Sequence, residues 1–202
     1  YRRDDALVRM TELQVLAGDY DAAIKTLDTH HFNVWEGGGS IHGVFVDAHQ
    51  LRGLQRLAAG EYNGALEDFQ TATDYPDNLE VGRPSHDRRA GRNHYFLAQA
   101  YDKLGQQEKA QQYYKSAAAH KSRDDYSFYQ ALALKKLNDR EKANEIFDKL
   151  VERGTQQLER NNEIDFFAKF GERGRQQQRL ARAHYLIALG SLGKGDKVRA
   201  RD

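Results

Sequence analysis

A five-residue step from a turn residue to an alanine recurs five times along this chain. Gly18 leads to Ala23, Gly60 to Ala65, Gly105 to Ala110, Asn138 to Ala143 and Gly195 to Ala200. A recurring unit of this kind makes the chain an array. Each unit buries an apolar face on its neighbour, and such arrays act mostly through the surface they present.

Each turn residue stands between two amphipathic stretches. A helix commonly ends on a residue at positive φ, which glycine adopts without a Cβ clash and asparagine tolerates. The alanine five residues on lies a turn and a half into the second helix, where a small side chain lets two helices approach closely. Four residues further come Leu27, Phe69, Tyr114 and Phe147. Ala72, Ala117 and Leu150 continue that face at helical spacing. Seven residues before the turns stand Thr11, Gly53, Ala98, Ala131 and Ala188, mostly small as well. The pattern predicts helix pairs packed through small contacts and locked by one large side chain.

This resembles the tetratricopeptide repeat, a helix–turn–helix unit of about 34 residues. The step of 33 from Gly105 to Asn138 fits, whereas those of 42, 45 and 57 elsewhere are longer. The expected fold is an all-α, tetratricopeptide-like superhelix, a solenoid of antiparallel helix pairs in one domain over 1–202. Its pairs are expected at 1–30, 43–75, 90–120, 123–153 and 175–202. The excess length goes into inserts at 30–42, 75–90 and 153–174. Single helices are expected near 139–153 and 175–193, with a further helix starting at Asp196. The proline that closes such repeats occurs once, at Pro76.

Composition narrows the function. Charged residues make up 30 %, yet the formal net charge is +1, which argues against generic phosphate-driven nucleic-acid binding. The chain has no cysteine, so disulfides and thiolate metal sites are excluded, in keeping with a reducing, cytoplasmic setting. No apolar run approaches the ~18 residues of a membrane span. A start at Tyr1, without secretion signal, reads as a piece of a longer protein.

A closer resemblance rests on two loops. His31-Phe32-Asn33-Val34-Trp35-Glu36-Gly37-Gly38 and Tyr75-Pro76-Asp77-Asn78-Leu79, with Ala183-His184-Tyr185 later, look like a family of large bacterial proteins. In that family a β-rich N-terminal domain precedes tetratricopeptide repeats. The resemblance spans about residues 20–200 and implies a carbohydrate-associated setting. The segment around Phe170–Arg179 departs from it, since the family is more acidic there.

Trp35 and Glu36, followed by Gly37, Gly38 and Gly39, pair an apolar face with a hydrogen-bond acceptor, which suits a sugar ring. The plainer reading is that Trp35 plugs the enlarged gap between the first two repeats. The glycine run is not a phosphate loop, because no Lys-Ser or Lys-Thr follows it. Ser40 is not a nucleophile elbow, because His42 stands where a glycine would be needed. No His-Glu-x-x-His occurs, and neither a metal site nor a cofactor is expected.

A tetrad is duplicated, Arg92-Asn93-His94-Tyr95 and Arg182-Ala183-His184-Tyr185, each expected at the start of a first helix. The repeat resemblance implies that positions two, five, nine and twelve of first helices line a concave groove. That register selects Arg92, Tyr95, Gln99 and Asp102, then Asp125 and Phe128 with Leu132 and Lys135. Asp47 and Gln50 precede them, and Arg182 and Tyr185 follow. Arginine and tyrosine on a rigid wall suit a carboxylate-bearing peptide or a polar glycan; alternatively, His94 and Tyr95 simply pack against neighbouring helices. Arg83, His86, Arg88, Arg89 and Arg92 form one basic run, and Arg173, Arg175, Arg179 and Arg182 a second. Such runs either grip an anion or form a solvated face paired with acids.

Two functions follow. One is a non-catalytic interaction or scaffold module whose groove takes a protein or peptide, including the N-terminal domain of its own parent chain. The other is an accessory segment of a larger carbohydrate-active enzyme, the Trp35–Glu36 loop contributing to a glycan site. This segment by itself is not expected to be an enzyme.

Overall fold

In the computed structural model, residues 4–33, 41–122, 124–161 and 172–200 are described, with side chains described outside 161 and 172–175. Among them every regular element is helical: nine α-helices and one short 3-10 turn. The helices are α1 (Asp4–Ala17), α2 (Tyr20–Thr29), α3 (Ile41–Ala59), α4 (Tyr62–Thr71), α5 (Ala90–Lys103), α6 (Gln107–Ala119), α7 (Ser127–Lys136), α8 (Arg140–Asn161) and α9 (Glu172–Lys194). The 3-10 turn covers Asp77–Leu79. The all-α class predicted from the repeat is the one found.

All five turn residues adopt the left-handed conformation: φ is 82° at Gly18, 85° at Gly60, 73° at Gly105, 66° at Asn138 and 89° at Gly195. The amide that follows each donates back into the preceding helix. These bonds are Asp19 N to Gln14 O (2.9 Å), Glu61 N to Arg56 O (2.9 Å), Gln106 N to Tyr101 O (2.9 Å), Asp139 N to Leu134 O (3.0 Å) and Asp196 N to Ser191 O (2.9 Å). This is one helix-ending motif used five times, and it satisfies carbonyls a helix end would otherwise leave bare. Asp19 and Asp139 then cap the next helix, accepting from Ala22 N and Lys142 N at 3.3 Å.

The chain forms two compact units, Tyr1–Tyr113 and Tyr114–Asp202, with the boundary inside α6. In the first, α1 packs on α2, both on α3, α3 on α4 and α4 on α5. Its core gathers Leu7, Ala23, Leu27, Phe32, Phe45 and Leu79 among others. Ala23 and Ala65 are completely buried. Phe69 lies against Gly53 so closely that a Cβ there would sit 2.5 Å from the ring. The loop 75–89 is fastened early: Asn78 Nδ2 donates to the carbonyls of Leu27 (2.7 Å) and His30 (2.8 Å), and Phe32 N donates to Asn78 O (2.8 Å). The two loops that carried the closer resemblance therefore meet, and their described residues serve as structure.

In the second unit α7, α8 and α9 pack on one another around Phe128, Ala131, Ala143, Phe147, Leu150 and Leu186. Helix α8 continues eight residues past the expected end near 153. Gly154, just past that expected end, is a close-contact residue inside the helix: a Cβ on it would lie 2.6 Å from Ala183 O. Gly190 approaches Phe147 O in the same way, and Gly193 approaches the Phe147 ring. These contacts run in opposite order along the two helices, so α8 and α9 are antiparallel. Ala188, the expected small contact before the fifth turn, is only half-buried; Gly190 and Gly193 take that role. The helix expected from Asp196 is a series of turns through residue 200, and Ala200 is half-exposed where the other four alanines are buried.

Candidate functional site

The residues expected to line a groove fall into three environments. Gln50, Tyr95 and Phe128 are buried. Gln50 Nε2 donates to Asn93 Oδ1 and so braces α3 against α5 from within. Asp47, Gln99, Asp102 and Asp125 are half-buried. Arg92 Nη2 donates to Asp47 Oδ1 at 2.8 Å, which places two expected residues in contact in the first unit. Arg182 and Tyr185 are well exposed. Trp35 and Glu36 lie outside the described residues.

The duplicated tetrad therefore has two environments. In α5 its arginine and tyrosine start the helix, and Tyr95 packs beside Phe96 (ring centroids 6.1 Å apart). In α9 the same letters lie mid-helix, with Ala183 buried against α8 while Arg182 and Tyr185 face outward. Likeness between the two tetrads, which differ only at Asn93 and Ala183, does not fix their exposure, because the neighbouring helix decides which face is covered.

The first basic run is absorbed locally. Arg83 donates to Thr73 O at 3.1 Å and lies 4.8 Å over the Tyr75 ring, and Arg92 pairs with Asp47. Beside it, residues Asp74–Asp77 and Val81–Arg83 border a shallow hollow. His42 stacks on Tyr75 at 3.9 Å and bonds the Asp74 carbonyl at 2.9 Å. Burial holds the His42 imidazole below its usual range, so it is neutral there and donates through Nε2.

A buried charge cluster was not anticipated from the sequence. Asp68, on α4, is 2 % exposed. It accepts from Arg52 Nε (3.1 Å) and Nη2 (2.6 Å), from Arg56 Nη1 (2.9 Å) and from His49 Nδ1 (3.3 Å). Arg52 Nη1 also reaches Asp21 on α2 at 2.7 Å, so the cluster ties α2, α3 and α4. Burial pushes the Asp68 carboxyl up, but the hydrogen bonds from His49 and Arg52 and the charges of Arg52 and Arg56 outweigh it and hold it below the usual carboxylate range. His49, Arg52 and Arg56 lie on one face of α3, the only signal the sequence carried.

The second basic run opens onto a cleft. Arg153, Gln157 and Arg160 on α8, spaced i, i+4, i+7, face Arg179, Arg182 and Leu186 on α9, spaced i, i+3, i+7. Asp124, ahead of α7, closes one side; the volume is about 390 Å³. Asp124 Oδ1 accepts from Tyr126 N at 3.1 Å, and Asp125 lies 3.9 Å from Arg182. Only half of this arrangement was expected, namely Arg179 and Arg182; the side chains of Arg173 and Arg175 lie outside the described residues. No cluster able to hold a metal occurs among the described residues, and no described helix is long and apolar enough to cross a membrane.

Tetratricopeptide-repeat family models match residues 91–119 and 125–153. Over these two stretches the chain is similar to the tetratricopeptide repeat. The first stretch covers α5 and α6, the second α7 and the first part of α8. Modules of this kind are typically non-catalytic and commonly mediate protein–protein interaction. The last eight residues of α8, with Gly154, Gln157 and Arg160, lie beyond the second match. No solved structure matches the chain.

Proposed function

We propose that this chain is a non-catalytic interaction module that presents its helix pairs to a protein or peptide partner. The observation that carries this reading is the outer face of α9. Tyr185 is 51 % exposed and Leu192 51 %, and Arg182 stands one turn before Tyr185. Tyrosine and arginine dominate the energetics of protein interfaces, because each offers a large contact area with a polar tip. Beneath them, glycine-mediated packing against α8 holds the helix rigid, so little ordering cost falls on binding.

A selection of peptides from a random display library on residues 1–202 tests this. Selected peptides are expected to bind saturably and to lose about 2 kcal/mol of affinity on Tyr185→Ala, with an unchanged melting temperature. A library that yields no saturable binder, or binders indifferent to Tyr185→Ala, would remove the proposal.

A further inference from the structure

We infer that the exposed face of α1 docks an amphipathic helix of a partner protein, one that carries small residues at i, i+4 and i+7. The inference goes beyond the proposed function and does not rest on α9. Leu7, Thr11 and Val15 of α1 are buried. On the opposite side of the helix Met10 is 40 % exposed, Leu13 52 % and Leu16 79 %. With the exposed Ala6 they form one apolar stripe at i, i+4, i+7 and i+10. A repeat face that meets water is ordinarily polar.

The other helices show what such a stripe meets. Ala6, Met10, Leu13 and Leu16 stand twelve, eight, five and two residues before the turn at Gly18. The same places before Gly195 are Ala183, Ile187, Gly190 and Gly193. All four approach the preceding helix α8: Ala183 O and Ile187 at Gly154, Gly190 at Phe147 O and Val151, and Gly193 at the Phe147 ring. The place eight before the turn meets the preceding helix in two further cases. Arg52 Nη1 donates to Asp21 on α2 at 2.7 Å, and Gln130 Nε2 donates to the Ala118 carbonyl on α6 at 2.9 Å. Lys136, two before Asn138, lies 5.8 Å over the Tyr114 ring of α6. Where this face stays open, at Gln55 five residues before Gly60, the side chain is polar. Helix α1 has leucine at that place. The interface through which helices stack inside the chain therefore continues onto α1.

Shape selects the occupant. Between α8 and α9 each of these contacts sets bulk on one helix against glycine on the other: Ile187 against Gly154, Val151 against Gly190 and Phe147 against Gly193. On α1 three of the four places are bulky, so the fitting helix has alanine or glycine opposite them, at the 147, 151, 154 spacing of α8. A second copy of α1 would set Met10, Leu13 and Leu16 against their own kind and hold the two backbones apart. An amphipathic helix laid along an apolar face is a recurring mode of peptide recognition.

Fluorescence anisotropy on residues 1–202 tests this with a labelled helical peptide of about 20 residues, long enough to hold helix in solution. Its seam has alanine at i, i+4 and i+7, with leucine on either side and glutamate and lysine elsewhere. Saturable binding is expected, and a scrambled peptide of the same composition should bind at least about tenfold more weakly. Leu13→Gln with Leu16→Gln should weaken the seam peptide at least about tenfold without lowering the melting temperature, because both side chains are exposed. Lys25→Gln, exposed on α2, should leave binding unchanged. Absence of binding, equal binding of the scrambled peptide, or indifference to the double substitution would overturn the inference. So would self-association in light scattering that the double substitution abolishes, since the face would then belong to a second copy.

Discussion

At the scale of single residues, the left-handed turns show how one backbone angle divides the chain. Asn138 holds the position that glycine fills in the other four, at φ 66°. Its left-handed backbone would cost an alanine about 1–2 kcal/mol. Asn138→Ala should therefore lower the unfolding free energy measured in urea by that amount, moving the midpoint down, while Asn138→Gly should stay within about 0.5 kcal/mol of the parent chain. Equal midpoints for the two variants would mean that the turn geometry carries no weight. The five turns were legible in the sequence because glycine and asparagine are the residues that tolerate this angle. The exposure of Tyr95 and Tyr185 was not, because two near-identical tetrads meet different neighbours.

At the scale of elements, glycine has two uses that a sequence does not separate. It ends helices, and it lets helices touch. At Gly154 the second is observed, with Ala183 O 2.6 Å from where its Cβ would be. Two effects then oppose each other in Gly154→Ala. Helix propensity favours alanine by about 1 kcal/mol, and overpacking costs about 1–3 kcal/mol. The contact is a backbone oxygen that cannot rotate away, so a net loss of stability is expected by thermal melting. Lys149→Ala, exposed on the same helix, should cost no stability. Were Gly154→Ala the more stable of the two, α8 and α9 would not approach as described. The expected helix end near 153 hid half of the cleft. Arg179 and Arg182 were visible as a helical stripe, but Arg153 and Arg160 could not be set opposite them while the helix was taken to stop near 153.

At the scale of the whole molecule, acid should act through the buried cluster. Asp68 has a depressed folded-state pKa. Its contribution to stability is therefore fully present above the unfolded carboxylate value near 3.9 and is lost as pH falls through the lower folded value. Removing the carboxylate strands Arg52 and Arg56, and Asp68→Ala should cost about 3–5 kcal/mol at neutral pH. Urea midpoints measured from pH 7 to pH 3 should fall steeply at the acid end for the parent chain and less steeply for Asp68→Asn. Parallel curves would show that the cluster does not couple folding to protons. Nothing in the repeat pattern announces this cluster, because His49, Arg52, Arg56 and Asp68 occupy positions where a repeat specifies only size and spacing.

The first hairpin, α1 with α2, carries one more consequence. Asp4, in the opening turn of α1, accepts from His30 Nε2 at 2.8 Å and from the Asn33 amide at 2.9 Å, just past the end of α2. Both bonds hold the Asp4 carboxyl below its usual range, that from His30 most strongly. Helix ends ordinarily unravel one residue at a time from whichever tip is looser. Here the two tips are buckled to each other, so neither can begin to unwind until a charged clasp has opened.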